Sequence, residues 1–253
     1  MTGFHDPASW YERRTSFGSV AADYAALRPG YPSDVVAFLL GDRPLRVLDL
    51  GAGTGLLTGV LLAAGHEVVA VDPSAEMLAQ LRERHPDVPA DVGGAEAVPL
   101  PDHSVDGVVA GQAAHWFDPG PAAAELRRVL RPGGVVGLVW NTRDETVPWV
   151  AALGEALAAE ARDHEADQGV VAAFAAALPA DVATATSAVV QRVTPDEVVA
   201  GIGTRSYVAT MSPDARDAFL GGIRDLLAGH PDTAGRDVLE LPYRTDAHRL
   251  TPR

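Results

Sequence analysis

Two acids and three glycines carry the clearest chemistry in this sequence. Gly51, Gly53 and Gly55 alternate in Gly51-Ala52-Gly53-Thr54-Gly55, Asp49 stands just ahead of them, and Asp72 closes the next apolar run. A glycine-dense turn lets a ligand approach the main chain, and an acid at a strand end can accept two hydrogen bonds from a ribose diol. A second group is Gln112, His115 and Trp116, in Gly111-Gln112-Ala113-Ala114-His115-Trp116-Phe117. Its histidine has the chemistry of a general base toward a hydroxyl or amine. By residue type alone, a lone histidine beside Trp-Phe reads more often as packing. Trp140 and Asn141 end a further apolar run and form a third group.

The elements that would position these residues follow from the pattern around them. Arg46 to Leu50 reads as a short buried strand that breaks at Gly51. Leu56 to Ala64 is an apolar helical run ending at Gly65, and Glu67 to Val71 is a second strand stopping on Asp72. Strand, turn, helix, strand and acid in this order make a nucleoside-binding βαβ half. Dinucleotide sites favour Gly-x-Gly-x-x-Gly, where a helix N-terminus holds the pyrophosphate. The spacing here differs and leaves no evident pyrophosphate seat. Together with the absence of any Lys for a Tyr-x-x-x-Lys pair, it weighs against an NAD-dependent dehydrogenase.

Downstream, Ser74 is placed to cap a helix carrying Met77, which either lies against an adenine or fills the core. Ala90 to Gly93 is a weak third strand and Val105 to Ala110 a clear fourth. Asp118 and Pro119 open the next helix, with Ala122, Leu126, Val129 and Leu130 on one face. A fifth strand covers Val135 to Trp140, and an Ala-rich helix runs from Pro148 to Ala161. Asp163 to Asp181 is ambiguous, and Ala188 to Val193 reads as a strand. Thr194-Pro195-Asp196-Glu197 is a capping box opening a helix toward Ile202. Ser212 caps another helix to Gly229, and Val238 to His248 is the final strand. In open parallel sheets ligands bind beyond the carboxyl ends of the strands. Gln112, His115, Trp116, Trp140 and Asn141 all fall at such ends.

Composition narrows the classes. The 253 residues suit one α/β domain with a lid or insertion. There is no Cys, which excludes a disulfide framework, a thiolate metal site and a cysteine nucleophile. The formal net charge of −14 argues against nucleic acid or an anionic membrane as the main partner. No run approaches ~18 apolar residues, and residues 1–14 hold no apolar signal core, so a cytoplasmic protein is expected. No metal is expected, and oligomeric state stays open between monomer and homodimer.

The Gly51 to Gly55 segment with Asp72 resembles the first motif of class I S-adenosylmethionine-dependent methyltransferases. Two further stretches are similar to the trans-aconitate methyltransferase-like branch. One is Phe17 to Pro32, with Phe, Tyr, Arg-Pro and Tyr-Pro at its spacing; the other is Gln-Ala-x-His-Trp-Phe from Gln112. Glu125 to Gly134 is a structural hallmark of the same group, and the resemblance covers nearly the whole chain. It implies a doubly wound, Rossmann-like α/β fold. The sheet would be seven-stranded and mostly parallel, with the last strand antiparallel beside the fifth. Residues 1–32 would be an N-terminal helical cover over the cofactor and 194–229 a small helical lid, within a single domain of residues 1–253.

The implied cofactor is S-adenosyl-L-methionine, leaving as S-adenosyl-L-homocysteine. Its methionine part would lie on Gly51, Ala52, Gly53, Thr54 and Gly55, with Tyr24 and Arg28 covering it. Asp72 and Pro73 would hold the ribose, and Met77, Ala95 and Glu96 the adenine edge, where the family's usual acid is replaced by Gly94. Gln112 and Ala113 complete that set. The acceptor would be a small molecule beside Trp116, Trp140, Asn141, Arg205 and Tyr207, with His115 as base or positioning residue. A carboxylate acceptor needs no base, and Arg205 or Arg143 would bind such an anion. Methylation of a hydroxyl, amine or carbon, and a cofactor-binding protein without catalysis, are the alternatives.

Overall fold

The computed structural model describes residues 28–157, 164–205, 208 and 210–253. The helix expected through Tyr24, and Tyr207, lie outside the described residues. In chain order the elements are α1 (Ser33–Leu40), β1 (Arg46–Leu50), α2 (Leu56–Ala63), β2 (Glu67–Asp72), α3 (Ala75–Arg84), β3 (Ala90–Val92) and β4 (Val105–Gly111). Then come α4 (Pro119–Val129), β5 (Leu130–Arg143), α5 (Pro148–Ala156), α6 (His164–Ala177), β6 (Ala180–Val193), α7 (Pro195–Gly203), α8 (Pro213–Gly229) and β7 (Leu239–Pro252).

The seven strands form one sheet in the order β3-β2-β1-β4-β5-β7-β6. Strands β1 to β5 pair in parallel, and β7 enters antiparallel between β5 and β6. Both sheet faces are covered, which is why β1, β2 and β4 read as mostly apolar rather than alternating runs. Val47, Val109 and Val139 meet α1, α2 and α3 on one face. Leu48, Ala110 and Leu138 meet α4 and α6 on the other. A third apolar cluster joins α5, α7 and α8 to Leu239, Leu241 and Tyr243 of β7. No helix among the described residues is long and apolar enough to cross a membrane.

The fold class is as the sequence implies, with local differences. The ambiguous stretch after Asp163 contains α6, whose Val171 and Phe174 are core residues. Strand β5 starts at Leu130, ahead of the expected Val135, and carries a bulge near its start. Val105 pairs with Leu130 and Gly107 with Val135, so residues 131–134 all stand opposite the single Asp106, and Gly133 takes φ 81° there. Strand β6 begins at Ala180, because it pairs with β7 along its whole length and small polar residues follow the ladder. Ser212 makes no side-chain cap to α8, whereas Ser74, Asp118 and Thr194 all cap as expected.

Candidate active site

The glycine turn is stitched to the end of β2. Both Gly51 N and Ala52 N donate to Val71 O, at 2.8 and 3.1 Å. Gly51, Gly53 and Gly55 have φ of 74°, 55° and 84°, the left-handed region. At Gly51 a Cβ would come 2.5 Å from Ala113 Cβ, so glycine lets the turn lie against the loop after β4. At Gly53 a Cβ would meet none of the described residues within 4 Å, so among them the main chain borders open space.

Asp72 does two jobs at once. Its Oδ2 accepts from Gly53 N at 2.9 Å and its Oδ1 from Ser74 N at 2.8 Å, so the carboxylate clamps the turn. A carboxylate oxygen accepts more than one hydrogen bond, the capacity that a ribose diol would call on. Sequence reasoning missed the fuller role of Asp49. It is 1% exposed and its Oδ2 accepts from the Thr58 hydroxyl at 2.6 Å. Among the described residues its Oδ1 has no protein partner, and neither does the buried Thr54 hydroxyl. Burial above all, then the Asp72 charge, push the Asp49 carboxyl up to about 7 against the pull of the Thr58 hydrogen bond. The signal was visible as an acid inside an apolar strand.

Of the adenine-side residues, Met77 is buried in the first turn of α3 and Pro73 precedes its Ser74 cap. Ala95 is buried in the core, and Glu96 Oε1 accepts from Asp118 N at 3.0 Å, tying this loop to the start of α4. Gly94 pairs with Ala97 across a single bridge.

At the end of β4, Gln112 holds φ 55°, a conformation that costs a non-glycine residue about 1 kcal/mol. Its N donates to Val139 O at 2.8 Å and its Nε2 to Asn141 O at 2.6 Å, so it fastens β4 to β5 at the crevice. Asn141 continues the chain of contacts. Its Nδ2 donates to Gly30 O at 3.1 Å and its Oδ1 accepts from the Thr245 hydroxyl at 2.6 Å. His115 and Trp116 share a single 3₁₀ turn, Ala114–Trp116, with ring centroids 4.9 Å apart, and both are half-buried. Trp140 departs from the expected placement: it is 2% exposed, edge-on to His248 at 5.7 Å, inside the core beneath α6. Its side chain supports the sheet and presents no face to an acceptor.

Arg205 comes together with residues that the sequence scatters. Arg28, Arg143 and Arg205 line one narrow cavity with Gln191, Glu197 and Tyr243. Arg143 and Tyr243 are direct cross-strand partners on β5 and β7. Burial raises the Tyr243 phenol above its ordinary range, while the Arg143, Arg205 and Arg28 guanidiniums pull it down. Arg28, expected over the cofactor, thus lines the same cavity as Arg143 and Arg205, two residues before the Gly30 carbonyl that Asn141 holds.

Comparison with known proteins decides the family. Residues 48–138 match a methyltransferase domain model, spanning the glycine turn through β5. A relative from Mycobacterium tuberculosis, named as an uncharacterised methyltransferase, is 44% identical over 239 residues, 93% of this chain and 95% of that one. The chain belongs to the class I S-adenosylmethionine-dependent methyltransferases. The crystallised putative type II methyltransferase of Anaeromyxobacter dehalogenans superposes with a TM-score of 0.67 at 30% identity. That match covers 89% of this chain and 97% of the other. The malonyl-[acyl-carrier protein] O-methyltransferase of Methylococcus capsulatus is 42% identical over 130 residues, 47% of each chain. These findings reach the class and not the trans-aconitate-like branch within it. As members of an enzyme class, they set aside the dehydrogenase and non-catalytic readings.

The methyltransferase's own residues fit the cofactor of its class. Among the described residues, open space at Gly53, a buried Asp49 oxygen and Thr54 hydroxyl without protein partners, and the Asp72 carboxylate all border one turn. An amine, a carboxylate or a ribose diol would satisfy groups that are otherwise costly to bury.

Proposed function

We propose that this methyltransferase esterifies a carboxylate of a small, anionic acceptor held by Arg28, Arg143 and Arg205 around Tyr243. The observation that carries this reading is the convergence of three guanidiniums on one phenol, in a protein of net charge −14. Arg143 and Asn141 share the end of β5, and Asn141 O is bonded to Gln112 at the end of β4, so this cavity adjoins the cofactor crevice. The similarity to an O-methyltransferase over part of the chain points the same way.

S-Adenosylmethionine supplies a methyl group already activated on a sulfonium. A carboxylate oxygen gives its electron pair to that carbon, the carbon–sulfur pair stays on sulfur, and ester and S-adenosylhomocysteine leave. The nucleophile is already ionised, so no proton moves. The protein's work is alignment and exclusion of water. Gly51, Ala52, Gly53, Thr54 and Gly55 bear the cofactor's methionine part, with Asp49 beside its amine and Asp72 on the ribose. Pro73, Met77, Ala95, Glu96 and Ala113 frame the adenine side, and His115 with Trp116 orients the acceptor. Helices α7 and α8, within residues 194–229, form the lid, and residues 1–32 the cover. The acceptor is a cytoplasmic small molecule rather than a nucleic acid.

The test is turnover of labelled S-adenosylmethionine with panels of carboxylates, alcohols and amines. A carboxyl methyl ester releases labelled methanol in alkali. Arg143→Gln should raise acceptor KM about 10- to 150-fold, the loss of a charged hydrogen bond, with cofactor affinity unchanged. An alkali-stable product would overturn the carboxylate assignment.

A further inference from the structure

Strand β6 is the outermost strand of the sheet, and among the described residues nothing pairs with its outer edge. It is 14 residues long and follows β7 in unbroken register from Ala180↔Pro252 to Val193↔Leu239. Edge strands are ordinarily protected by lysines, prolines, bulges or brevity. This one has none of these: the chain holds no Lys, and Ala180–Val193 contains neither Pro nor a register shift. Its charges are confined to Asp181 and Arg192 near its two ends. Asp181 is engaged by Arg253 of the neighbouring β7 terminus. Between them the strand is small, β-branched and uncharged, the composition that pairs readily. Two of its valines are large exposed apolar side chains, Val182 at 44% and Val190 at 53%.

We infer that β6 pairs antiparallel with β6 of a second copy of this chain, joining two seven-stranded sheets into one. The choice of a second copy rests on self-complementarity. Val182 and Val190 have the same parity and share a face of the strand. A two-fold axis through Thr186 sets Val182 opposite the other copy's Val190, and by symmetry does so twice. The same register places Asp181 opposite Gln191 and Ala180 opposite Arg192, so no like charges meet. Moving the axis by one residue, to Ser187, places Val182 opposite Arg192 and Val190 opposite Thr184, and the apolar pairing is lost. Pairing over residues 180–192 makes about a dozen main-chain hydrogen bonds, comparable with the ~10 of a standard interface. The exposed edge and both exposed valines are covered by the one association.

The absence of any cysteine makes the test clean. Val182→Cys and Val190→Cys are made as separate proteins, each at an exposed position. Under mild oxidation an equimolar mixture should give a disulfide-linked heterodimer, while each protein alone should not, because neither position faces itself. The native protein at tens of micromolar should sediment at twice its 26.4 kDa chain mass. The Val182→Lys/Val190→Lys protein, with ammonium facing ammonium at both pairs, should sediment as a monomer with its melting temperature retained. A monomeric native protein, cross-linking as strong within either single variant as in the mixture, or a dimer that survives the double lysine change would each overturn the inference.

Discussion

Replacing Asp49 with Asn should change stability with opposite sign in acid and at pH 8. The Asp49 carboxyl is raised from 3.8 to about 7, so between those values the folded chain binds a proton that the unfolded chain has lost. Stability from this group is therefore fully present below about pH 4 and is lost as pH rises to about 7. A shift of about 3 units corresponds to roughly 4 kcal/mol, an upper figure for a wholly buried group. Asparagine keeps an acceptor for the Thr58 hydroxyl at the Oδ2 position. It adds a buried amide donor where Oδ1 now has no partner, at a cost of about 1–2 kcal/mol. The variant should be less stable by about 1–2 kcal/mol at pH 3.5, nearly equal at pH 5, and more stable by about 2–3 kcal/mol at pH 8.

Urea unfolding of both proteins without cofactor, at these pH values and with unchanged m-values, measures this directly. A difference of the same sign and size at pH 3.5 and pH 8 would refute the argument, because it would mean that Asp49 is ionised throughout or not buried in the way described. The same logic extends to the ligand. A cationic amine beside Asp49 favours the carboxylate, so cofactor affinity of the native protein should rise with pH up to about 7 and flatten above it. The Asn variant should lose that rise. Asp72 contributes part of the elevation, so Asp72→Asn should move the break in the native profile to lower pH.

Three further changes probe the crevice. Gly53→Val should unfold nothing, since its Cβ enters open space, yet lose about 1–2 kcal/mol to the φ of 55° and abolish the thermal shift given by S-adenosylhomocysteine; a retained shift would place the ligand elsewhere. Asp72→Ala should weaken cofactor binding by roughly 1.5–3 kcal/mol and, by freeing Gly53 N and Ser74 N, also lower the melting temperature. A 2′,3′-dideoxy analogue bound equally by both proteins, as is the natural cofactor, would remove the ribose role. His115→Ala should raise acceptor KM with a flat pH–rate profile if the acceptor is a carboxylate. A fall in turnover of roughly 10²–10⁴-fold, with the native rate declining below pH ~6.5, would instead make His115 a base and favour a hydroxyl or amine acceptor.

The cofactor side of the crevice was legible because it is local in sequence. One βαβ unit carries the glycines, Asp49 and Asp72, and hydrophobic runs with caps at Ser74, Asp118 and Thr194 set its neighbours. What such a reading lacks is the competition for each atom. Asp72 looked like an acid awaiting a ribose, yet both its oxygens already accept main-chain N–H groups. Trp140 and Asn141 both sit at the end of β5, where period two sends them to opposite faces. One enters the core, while the other ties Gly30 to Thr245.

The acceptor side was less legible for a different physical reason. Arg28, Arg143, Arg205 and Tyr243 are joined by no motif, and their meeting depends on a register that local pattern does not contain. It is set by β7, which runs against β5 so that Asn141 faces Thr245 and, two residues on, Arg143 faces Tyr243. A slip of one residue would turn Tyr243 to the other face of the sheet and carry it away from the arginines. The Asn141–Thr245 side-chain hydrogen bond of 2.6 Å is therefore more than a packing detail. It holds the register through which the last strand delivers its phenol to the three guanidiniums, and Gln112, bonded to the Asn141 carbonyl, links that same point to the end of β4. The glycine turn and the arginine-lined cavity are thus spaced by a short relay of hydrogen bonds across β4, β5 and β7, whose geometry the strained Gln112 main chain helps to fix.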